Sequence, residues 1–221
     1  MKIKTIIPAR GGSKGIPKKN IVDVNGKPLI WYVINASLSS NVDETWVSTD
    51  CENIRMISEN IGAKVLVRPS QFATDQSKSE DTLLHFLKNV DTDIVVFLQA
   101  TSPLTEFYDI NAAIDMMDKF DSVISVCNDH GGWLCGGFKW KEYNGAAHAE
   151  YDINNRPMRQ NKAKLYRENG AIYISSREMI IKSMNRISGN IGLYEMPRQR
   201  SFEVDNMEDL DEIRKYIGNV K

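Results

Sequence analysis

"IIPARGGSKGIPKKN", residues 6–20, joins a short apolar run to a segment with three glycines and four cations. A glycine-rich turn that leaves a strand can point successive backbone N–H groups into one concavity, which suits phosphate oxygens. Arg10 and the lysines add positive charge, and a guanidinium can hold two phosphate oxygens at once. The spacing is neither that of a P-loop nor G-x-G-x-x-G, so a basic surface turn is the alternative interpretation.

Outward from this loop, strand-like and helix-like segments alternate. The strand-like segments are "KIKTIIPA", "ETWVSTD", "AKVLVRP", "DIVVFLQA" and "SVISVCN". The segments with apolar residues at helical spacing are "PLIWYVINASLSS", "CENIRMISENIG", "SEDTLLHFLKNV" and "FYDINAAIDMMDKF". This order predicts a Rossmann-like α/β fold, with a mostly parallel sheet covered by helices on both faces. "GAIYISS" predicts a further strand, and "MEDLDEIRKYIG" predicts a closing helix.

Local signals refine this prediction. The unbroken apolar run in "DIVVFLQA" is typical of a central strand. Gly62 is placed to end one helix, and Ser79 or Asp81 to cap the next. Ligands of parallel sheets bind at the carboxyl ends of the strands. Polar residues follow four of the predicted strands at that edge: Arg10 to Lys19, Asp50, Arg68, and Gln99 to Ser102.

Composition excludes several function classes. The 221 residues are 42% hydrophobic and 26% charged, as in an ordinary globular domain. The net charge of −1 gives no general attraction to nucleic acid or to a membrane surface, so any anion site must be local. We find no signal peptide and no apolar stretch long enough to span a bilayer. The three cysteines form no CxxC pair, which favours a reducing cytoplasm.

The alternation breaks between about residues 128 and 165. This segment is rich in glycine, aromatic and polar residues and shows no clear helical period. Its aromatic content argues against a disordered insert. We therefore expect an extended arm or a small subdomain that packs on a partner.

The opening string resembles the signature of the cytidylyltransferases that activate nine-carbon 2-keto sugar acids, the CMP-sialic acid synthetase family. Further strings of the family follow in the expected order and span nearly the full chain: "VSTD", "RPSQFATD", "LQATSPL", "RPMRQ", "YRENGAIYIS" and "FEVDNMEDL". The resemblance implies a fold of the nucleotide-diphospho-sugar transferase type. It further implies a single domain, residues 1–221, with residues 130–165 as an inserted dimerisation and substrate arm.

The resemblance also implies an activity. The chain would be a cytoplasmic homodimer that couples CTP to the anomeric hydroxyl of a nonulosonic acid, giving the CMP-sugar and pyrophosphate, with Mg²⁺ or Mn²⁺ as cofactor. Two alternatives stay open. One is a related nucleotidyltransferase for another nucleotide or for the eight-carbon acid Kdo, and the other is a nucleotide-binding sensor that has lost catalysis.

The family's functional positions transfer to specific residues by this resemblance. Catalytic roles fall on Arg10, Lys19 and Asp205. Nucleotide-binding roles fall on Arg10, Gly11, Gly12, Ser13, Lys19, Asn20, Arg68, Asp75 and Ser79. Roles in binding the sugar acid fall on Gln99, Arg159 and Tyr173. Metal-binding roles fall on Asp205 and Glu203, which would share one face if this segment were a strand.

Structural roles compete with some of these assignments. Asp75 and Ser79 could cap a helix, Asp205 or Asn206 could cap the last helix, and Tyr173 could be a buried strand tyrosine. The chain also departs from the family pattern. Glu203 stands for an aspartate and Thr105 for an arginine. In the loop His130 to Trp133, two glycines and a tryptophan follow the histidine, which suggests a changed sugar.

Overall fold

A seven-stranded sheet forms the centre of the protein in the computed structural model, which describes residues 1–74, 76–128, 140–143, 146–149, 154 and 166–219. In chain order the strands are β1 (Ile3–Pro8), β2 (Asp23–Val24), β3 (Lys27–Pro28), β4 (Glu44–Thr49), β5 (Lys64–Val67), β6 (Ile94–Leu98), β7 (Ser122–Asn128), β8 (Trp140–Tyr143), β9 (Ala146–Ala149), β10 (Tyr166–Ser176) and β11 (Ile191–Glu195). The order across the large sheet is β11-β7-β10-β6-β1-β4-β5. The strands β2 and β3 form one small antiparallel pair, and β8 and β9 form another.

The large sheet is parallel except at one strand. Strand β1 pairs in parallel with β4 and β6, β4 with β5, and β7 with β11. Strand β10 lies between β6 and β7 and is antiparallel to both. The expectation of a mostly parallel sheet is therefore confirmed. The run "IVVFL" is buried at all its residues and is β6, which lies in the middle of the sheet as predicted.

Helices cover both faces of the sheet, as the sequence predicts. They are α1 (Leu29–Leu38), α2 (Glu52–Ile61), α3 (Ser79–Asn89), α4 (Phe107–Asp115), α5 (Arg177–Ser183) and α6 (Met207–Asn219). Helices α1, α2 and α4 bury apolar side chains in the cluster that contains Ile7 of β1. Helices α3 and α5 bury theirs in the cluster that contains Ile6. The two neighbouring isoleucines point to opposite faces because side chains alternate along a strand.

A third apolar cluster joins the two ends of the chain. It contains Ile16 from the glycine-rich loop, Val204, and Leu210 and Ile213 of α6. The hairpin of β2 and β3 lies against α6, where the guanidinium of Arg214 donates to the carbonyl of Asp23 at 2.7 Å. The loop after β1 is thereby held next to the segment that precedes α6.

Some element boundaries differ from the sequence prediction. Gly62 ends α2 as expected, with φ of +114°. The expected N-cap of α3 is wrong: the helix begins at Ser79 with Lys78 in the cap position, and Asp81 accepts the N–H of Lys78 at 2.9 Å. Strand β10 begins four residues before the predicted "GAIYISS". Helix α5 and strand β11 had not been predicted.

The arm expected at residues 130–165 lies largely outside the described residues, apart from the β8–β9 pair and residue 154. The dimerisation role of this arm stays a prediction. Within the described part of the chain, no helix combines the length and the apolar character that crossing a bilayer requires.

Candidate active site

A cleft of about 370 Å³ opens at the carboxyl edge of the sheet. The loops that follow β1, β5 and β6 meet there with the segment that precedes α6. The residues that line the cleft are Pro8, Arg10, Ser13, Lys14, Gly15, Lys19, Asn20, Arg68, Thr101 and Asp205. The sequence prediction that polar residues at this edge share one site therefore holds for the loops after β1, β5 and β6, the last of which contributes Thr101.

The glycine-rich loop is held by close backbone contacts. The amide of Gly11 donates to the Oδ1 atom of Asp50 at 2.9 Å. A Cβ atom at Gly11 would lie 2.8 Å from the Cβ atom of Cys51, and one at Gly15 would lie 2.5 Å from the carbonyl oxygen of Asp205. Gly12 has open space on that side. Glycine is therefore needed at positions 11 and 15 because the chain passes so near its neighbours.

Lys19 and Asn20 lie in a short 3-10 turn, Lys19–Ile21, at the end of this loop. The ammonium of Lys19 donates to the carbonyl of Val204 at 2.8 Å and to the Oδ1 atom of Asp205 at 3.1 Å. The buried amide of Asn20 donates to the carbonyl of Arg10 at 3.0 Å and so fixes the backbone of the loop. Of the other two lysines, Lys14 lines the cleft and Lys18 does not.

Arg68 follows β5 and is only 6% exposed. One terminal nitrogen of its guanidinium donates to the hydroxyl of Thr82 at 2.8 Å, whereas Nε and Nη2 are buried and have no hydrogen-bond partner among the described residues. Burial lowers the pKa of Arg68, the charge of Asp50 raises it, and the charge of Arg10 lowers it further. Buried donors in native proteins are nearly always paired. Two unpaired donors in a cleft wall are therefore typical of a group that binds a ligand.

The two carboxylates before α6 have different surroundings. The side chain of Asp205 is 70% exposed and reaches Lys19. That of Glu203 is half-buried, accepts from the hydroxyl of Thr101 at 3.3 Å and packs on Gly170, where φ is +73°. Burial raises the pKa of Glu203, and the nearby charge of Asp205 raises it further. Residues 201–205 are irregular rather than a strand, so the expected strand geometry of this pair is wrong.

The hydrogen bonds at the start of α6 show which of the two candidate residues, Asp205 or Asn206, caps this helix. Asn206 accepts the N–H of Asp209 at 3.0 Å, and Asp209 accepts the N–H groups of Asp205 and Asn206 in return. Asn206 is thus the capping side chain. The carboxylate of Asp205 takes no part in the cap and stays available to the cleft.

The carboxylates of the cleft bear on whether Mg²⁺ could bind there. Among the described residues, no group of three or more histidine, cysteine, aspartate or glutamate side chains could hold a metal ion. Protein sites for Mg²⁺ commonly use one or two carboxylates together with substrate phosphates and water. Asp205 at the rim of a cationic cleft, with Glu203 two residues away, fits that pattern.

Other predicted residues lie apart from this cleft. Ser79 is half-buried at the start of α3, and Gln99 is half-buried directly after β6, where its carbonyl accepts the N–H of Ser102. Neither is among the residues that line the cleft. Thr105, which departs from the resembled pattern, is buried. Asp75, Arg159 and the loop His130 to Trp133 lie outside the described residues.

Tyr173 lies in the core between sheet and helices. Its hydroxyl donates to the Oε1 atom of Glu168 at 2.5 Å, and the guanidinium of Arg186 lies 4.5 Å from the centre of its ring. Burial, followed by the contact with Glu168, raises the pKa of Tyr173 to about 12. The structure does not bring Tyr173 together with the residues that line the cleft, and its role toward a sugar acid stays a prediction.

Two polar residues of the site, Thr101 and Asp50, were not assigned a functional role from the sequence. Thr101 lines the cleft, accepts the N–H of Val204 at 2.8 Å and donates to Glu203. Asp50 binds the amide of Gly11. Both residues follow predicted strands at the carboxyl edge of the sheet, and this position is the signal in the sequence that could have identified them. Their partners are distant in sequence, so only the folded chain identifies them.

Known proteins resemble this chain over nearly its whole length. The cytidylyltransferase family model matches residues 5–218. N-acylneuraminate cytidylyltransferase B of Danio rerio is 37% identical over 209 residues, which cover 90% of this chain and 48% of that protein. The N-acylneuraminate cytidylyltransferase of Oncorhynchus mykiss is 37% identical over 212 residues, or 92% of this chain and 47% of that protein. The chain spans about half the length of these curated relatives.

A solved structure has the same fold. A CMP:2-keto-3-deoxy-manno-octonic acid synthetase, determined in complex with CTP, superposes with a TM-score of 0.75 at 21% sequence identity. The match covers 100% of both chains.

Proposed function

The chain belongs to the cytidylyltransferase family, and from this premise we propose that it couples CTP to the anomeric hydroxyl of a nonulosonic acid, giving the CMP-sugar and pyrophosphate. The observation that carries the proposal is Arg68, a buried guanidinium with two unpartnered donors in the wall of a cleft that Arg10 and Lys19 also line. The relatives named N-acylneuraminate cytidylyltransferase support a sialic acid-like substrate.

The cations of the cleft suit a triphosphate. Arg10, Lys14 and Lys19 line one space together with the hydroxyl of Ser13, although the chain as a whole has a net charge of −1. Positive charge is therefore concentrated locally in the cleft, while the chain as a whole is nearly neutral. Prearranged cations of this kind stabilise the charge that develops on phosphate oxygens during transfer.

Arg68 takes the nucleotide end of the cleft in this proposal. A role of the segment Ala73 to Ser79 in enclosing the base and ribose stays a prediction from the family resemblance. The unpartnered Nε and Nη2 atoms of Arg68 can only donate, so they suit the acceptor atoms of a pyrimidine base or ribose. A buried donor that gains a partner on binding favours the ligand that supplies the acceptor over one that does not.

Mg²⁺, or Mn²⁺ in its place, is the proposed cofactor, held by Asp205 with Glu203 as a second carboxylate. When bound, the ion would neutralise charge on the phosphates of CTP. Lys19 contacts Asp205 directly at 3.1 Å, so the ammonium and the carboxylate would face the same phosphate groups.

The reaction itself needs orientation more than covalent catalysis. The anomeric hydroxyl oxygen attacks the α-phosphorus and gives up its proton to water, a new O–P bond forms, and the bond from that phosphorus to the bridging oxygen of pyrophosphate, the leaving group, breaks. Arg10 and Lys19 hold the phosphates in line with the attacking oxygen and compensate the charge that moves to the leaving group. Gln99, Arg159 and Tyr173 remain the proposed contacts for the sugar acid, and a cytoplasmic homodimer remains the proposed state.

Pyrophosphate release tests the proposal. The purified chain is incubated with CTP and Mg²⁺ and with N-acetylneuraminic, legionaminic, pseudaminic or Kdn acid, while Kdo serves as the comparison acid. ATP, GTP and UTP replace CTP in parallel reactions. We expect turnover with CTP and one nine-carbon acid. Turnover with Kdo alone or with another nucleotide contradicts the proposal, as does CTP binding without any metal-dependent turnover, which would indicate a sensor.

A further inference from the structure

Asp50 directly follows β4, in the short connection to α2, and is not used by the reaction as proposed. We infer that Asp50 is a positioning residue of the nucleotide loop: its carboxylate holds the amide of Gly11 and so sets the loop for the triphosphate. The inference rests on the proposed function, since it concerns how the same cleft receives CTP.

The contact extends the pairing of β1 with β4. Pro8, the last residue of β1, is the register partner of Ser48 in β4, and the N–H of Ala9 donates to the carbonyl of Ser48 at 2.9 Å. Two residues further on, the N–H of Gly11 donates to the Oδ1 atom of Asp50 at 2.9 Å. The carboxylate thus takes the place that a backbone carbonyl would hold in a longer strand.

The packing around Gly11 explains why one hydrogen bond can fix the loop. A Cβ atom at Gly11 would lie 2.8 Å from Cys51, so the backbone already lies against the turn that follows β4 and has no room to move inward. The bond to Asp50 resists movement in the opposite direction. Arg10 and Ser13, on either side of this anchored stretch, both line the cleft.

Charge argues against direct contact of Asp50 with the ligand. A carboxylate repels phosphate, and phosphates are the proposed occupants of this cleft. Asp50 is exposed, and its charge acts on Arg68, which also feels the like charge of Arg10. The carboxylate therefore has two effects in the free protein: it anchors the loop, and it offsets repulsion between two arginines of the cleft.

Two substitutions separate the hydrogen bond from the charge. Asp50→Asn keeps an Oδ1 acceptor and removes the charge, whereas Asp50→Ala removes both. The matched control is Asp43→Ala, because Asp43 accepts the amide of Ile3 at 2.7 Å and so links β1 and β4 at the opposite edge of the sheet. All four proteins are compared for CTP affinity by calorimetry, for kinetics, and for the exchange rate of the Gly11 amide by NMR. Thermal unfolding verifies that each is folded.

For Asp50→Ala we expect the Kd and the KM of CTP to rise about tenfold, faster exchange at Gly11, and a KM of the sugar acid within threefold of the wild type. Asp50→Asn should rescue CTP affinity to within threefold, and Asp43→Ala should match the wild type in every cleft measurement. Unchanged or tighter CTP binding in Asp50→Ala overturns the inference. So does a defect in Asp50→Asn as large as that of Asp50→Ala, because charge would then be the cause.

A failure of the proposed function can be distinguished from a failure of the inference about Asp50. If the wild-type chain binds CTP but turns over no sugar acid, the proposed reaction is wrong, and the comparison of CTP affinities still decides the role of Asp50. If the wild type binds no CTP, the proposed function and the inference are both wrong.

Discussion

The carboxylate of Asp205 and the ammonium of Lys19 lie 3.1 Å apart, although 186 residues separate them in the chain. Ile16 and Val204 share one apolar cluster, which brings the two segments together. Lys19 also donates to the carbonyl of Val204, so its position does not depend on the Asp205 side chain alone. The pair is thus a product of packing at the two ends of the chain.

Asp205→Asn should reduce turnover about 100-fold, the size typical of losing a group that stabilises transition-state charge. Thermal stability should change little, because the Asp205 side chain is 70% exposed and such ion pairs contribute about 0–1 kcal/mol. Pyrophosphate release across a Mg²⁺ titration measures the effect. The control is Asp211→Asn, which removes an exposed carboxylate of α6 that pairs with Arg214. Equal turnover in both variants would rule out a role for Asp205.

Arg68→Met should separate function from stability. The KM of CTP should rise at least about tenfold, while the free energy of unfolding should stay level or rise, because a buried unpaired donor costs about 1–3 kcal/mol. The change removes two such donors and only one hydrogen bond, that to Thr82. Arg55→Met, at an exposed arginine paired with Glu52 and Glu59, is the control. A loss of stability with unchanged CTP kinetics would mean that Arg68 is structural.

The sequence predicted the sheet well because its signals are local. The apolar run of β6 and the helical spacing of α1 each lie within one short window, and both elements formed where expected. Strand β11 was missed because it is only five residues long and its sequence, "IGLYE", shows no clear alternation of apolar and polar residues. The direction of β10 depends on partners in β6 and β7, which no local pattern contains.

The candidate site was predictable to a similar depth. Roles for Arg10, Lys19, Arg68 and Asp205 were predicted from the family resemblance, and the structure brings all four to one cleft. What the sequence did not contain were contacts across the fold, such as the approach of Gly15 to the carbonyl of Asp205. The sequence left Tyr173 open between a sugar contact and a buried strand residue. Its packing against Phe97 and Arg186 is another contact across the fold that the sequence did not contain.

Gly15→Ala should destabilise the fold. The added methyl group would lie 2.5 Å from the backbone carbonyl oxygen of Asp205, and backbone cannot move aside cheaply. Overpacking of this kind costs about 1–3 kcal/mol. The matched control for stability is Gly12→Ala, because nothing lies within 4 Å of a Cβ atom at that position. This change should shift the free energy of unfolding by less than about 0.5 kcal/mol. Urea unfolding compares the two, and equal values would refute the steric argument.

Glu44→Gln should weaken the response of stability to acid. Lys64, Lys4 and the indole N–H of Trp46 all contact this carboxylate, and they lower its pKa to about 2. A lowered pKa means that the stabilisation is present above the ordinary value of 4.5 and is lost as the pH falls toward about 2. At pH 7 the variant should be less stable by about 1 kcal/mol, since solvent screens such pairs.

Denaturant unfolding from pH 7 to pH 2 measures the Glu44 effect. The two stability curves should converge as the pH falls below about 4.5 and meet near pH 2. High salt should also reduce the gap at pH 7 by screening the pairs. A gap that stays constant across this range would show that Glu44 stabilises the fold by packing and not by its charge.

Strand β10 runs against its neighbours, and this has a consequence for how the protein can be altered. The last residue of β7, Asn128, is the register partner of the first residue of β10, Tyr166. The chain therefore leaves and re-enters the sheet at adjacent points, on the edge where the cleft opens. Since the cost of closing a connection grows only slowly with its length, this junction is a place where segments of different length and sequence can be exchanged, by evolution or by grafting, without rebuilding the nucleotide half of the site.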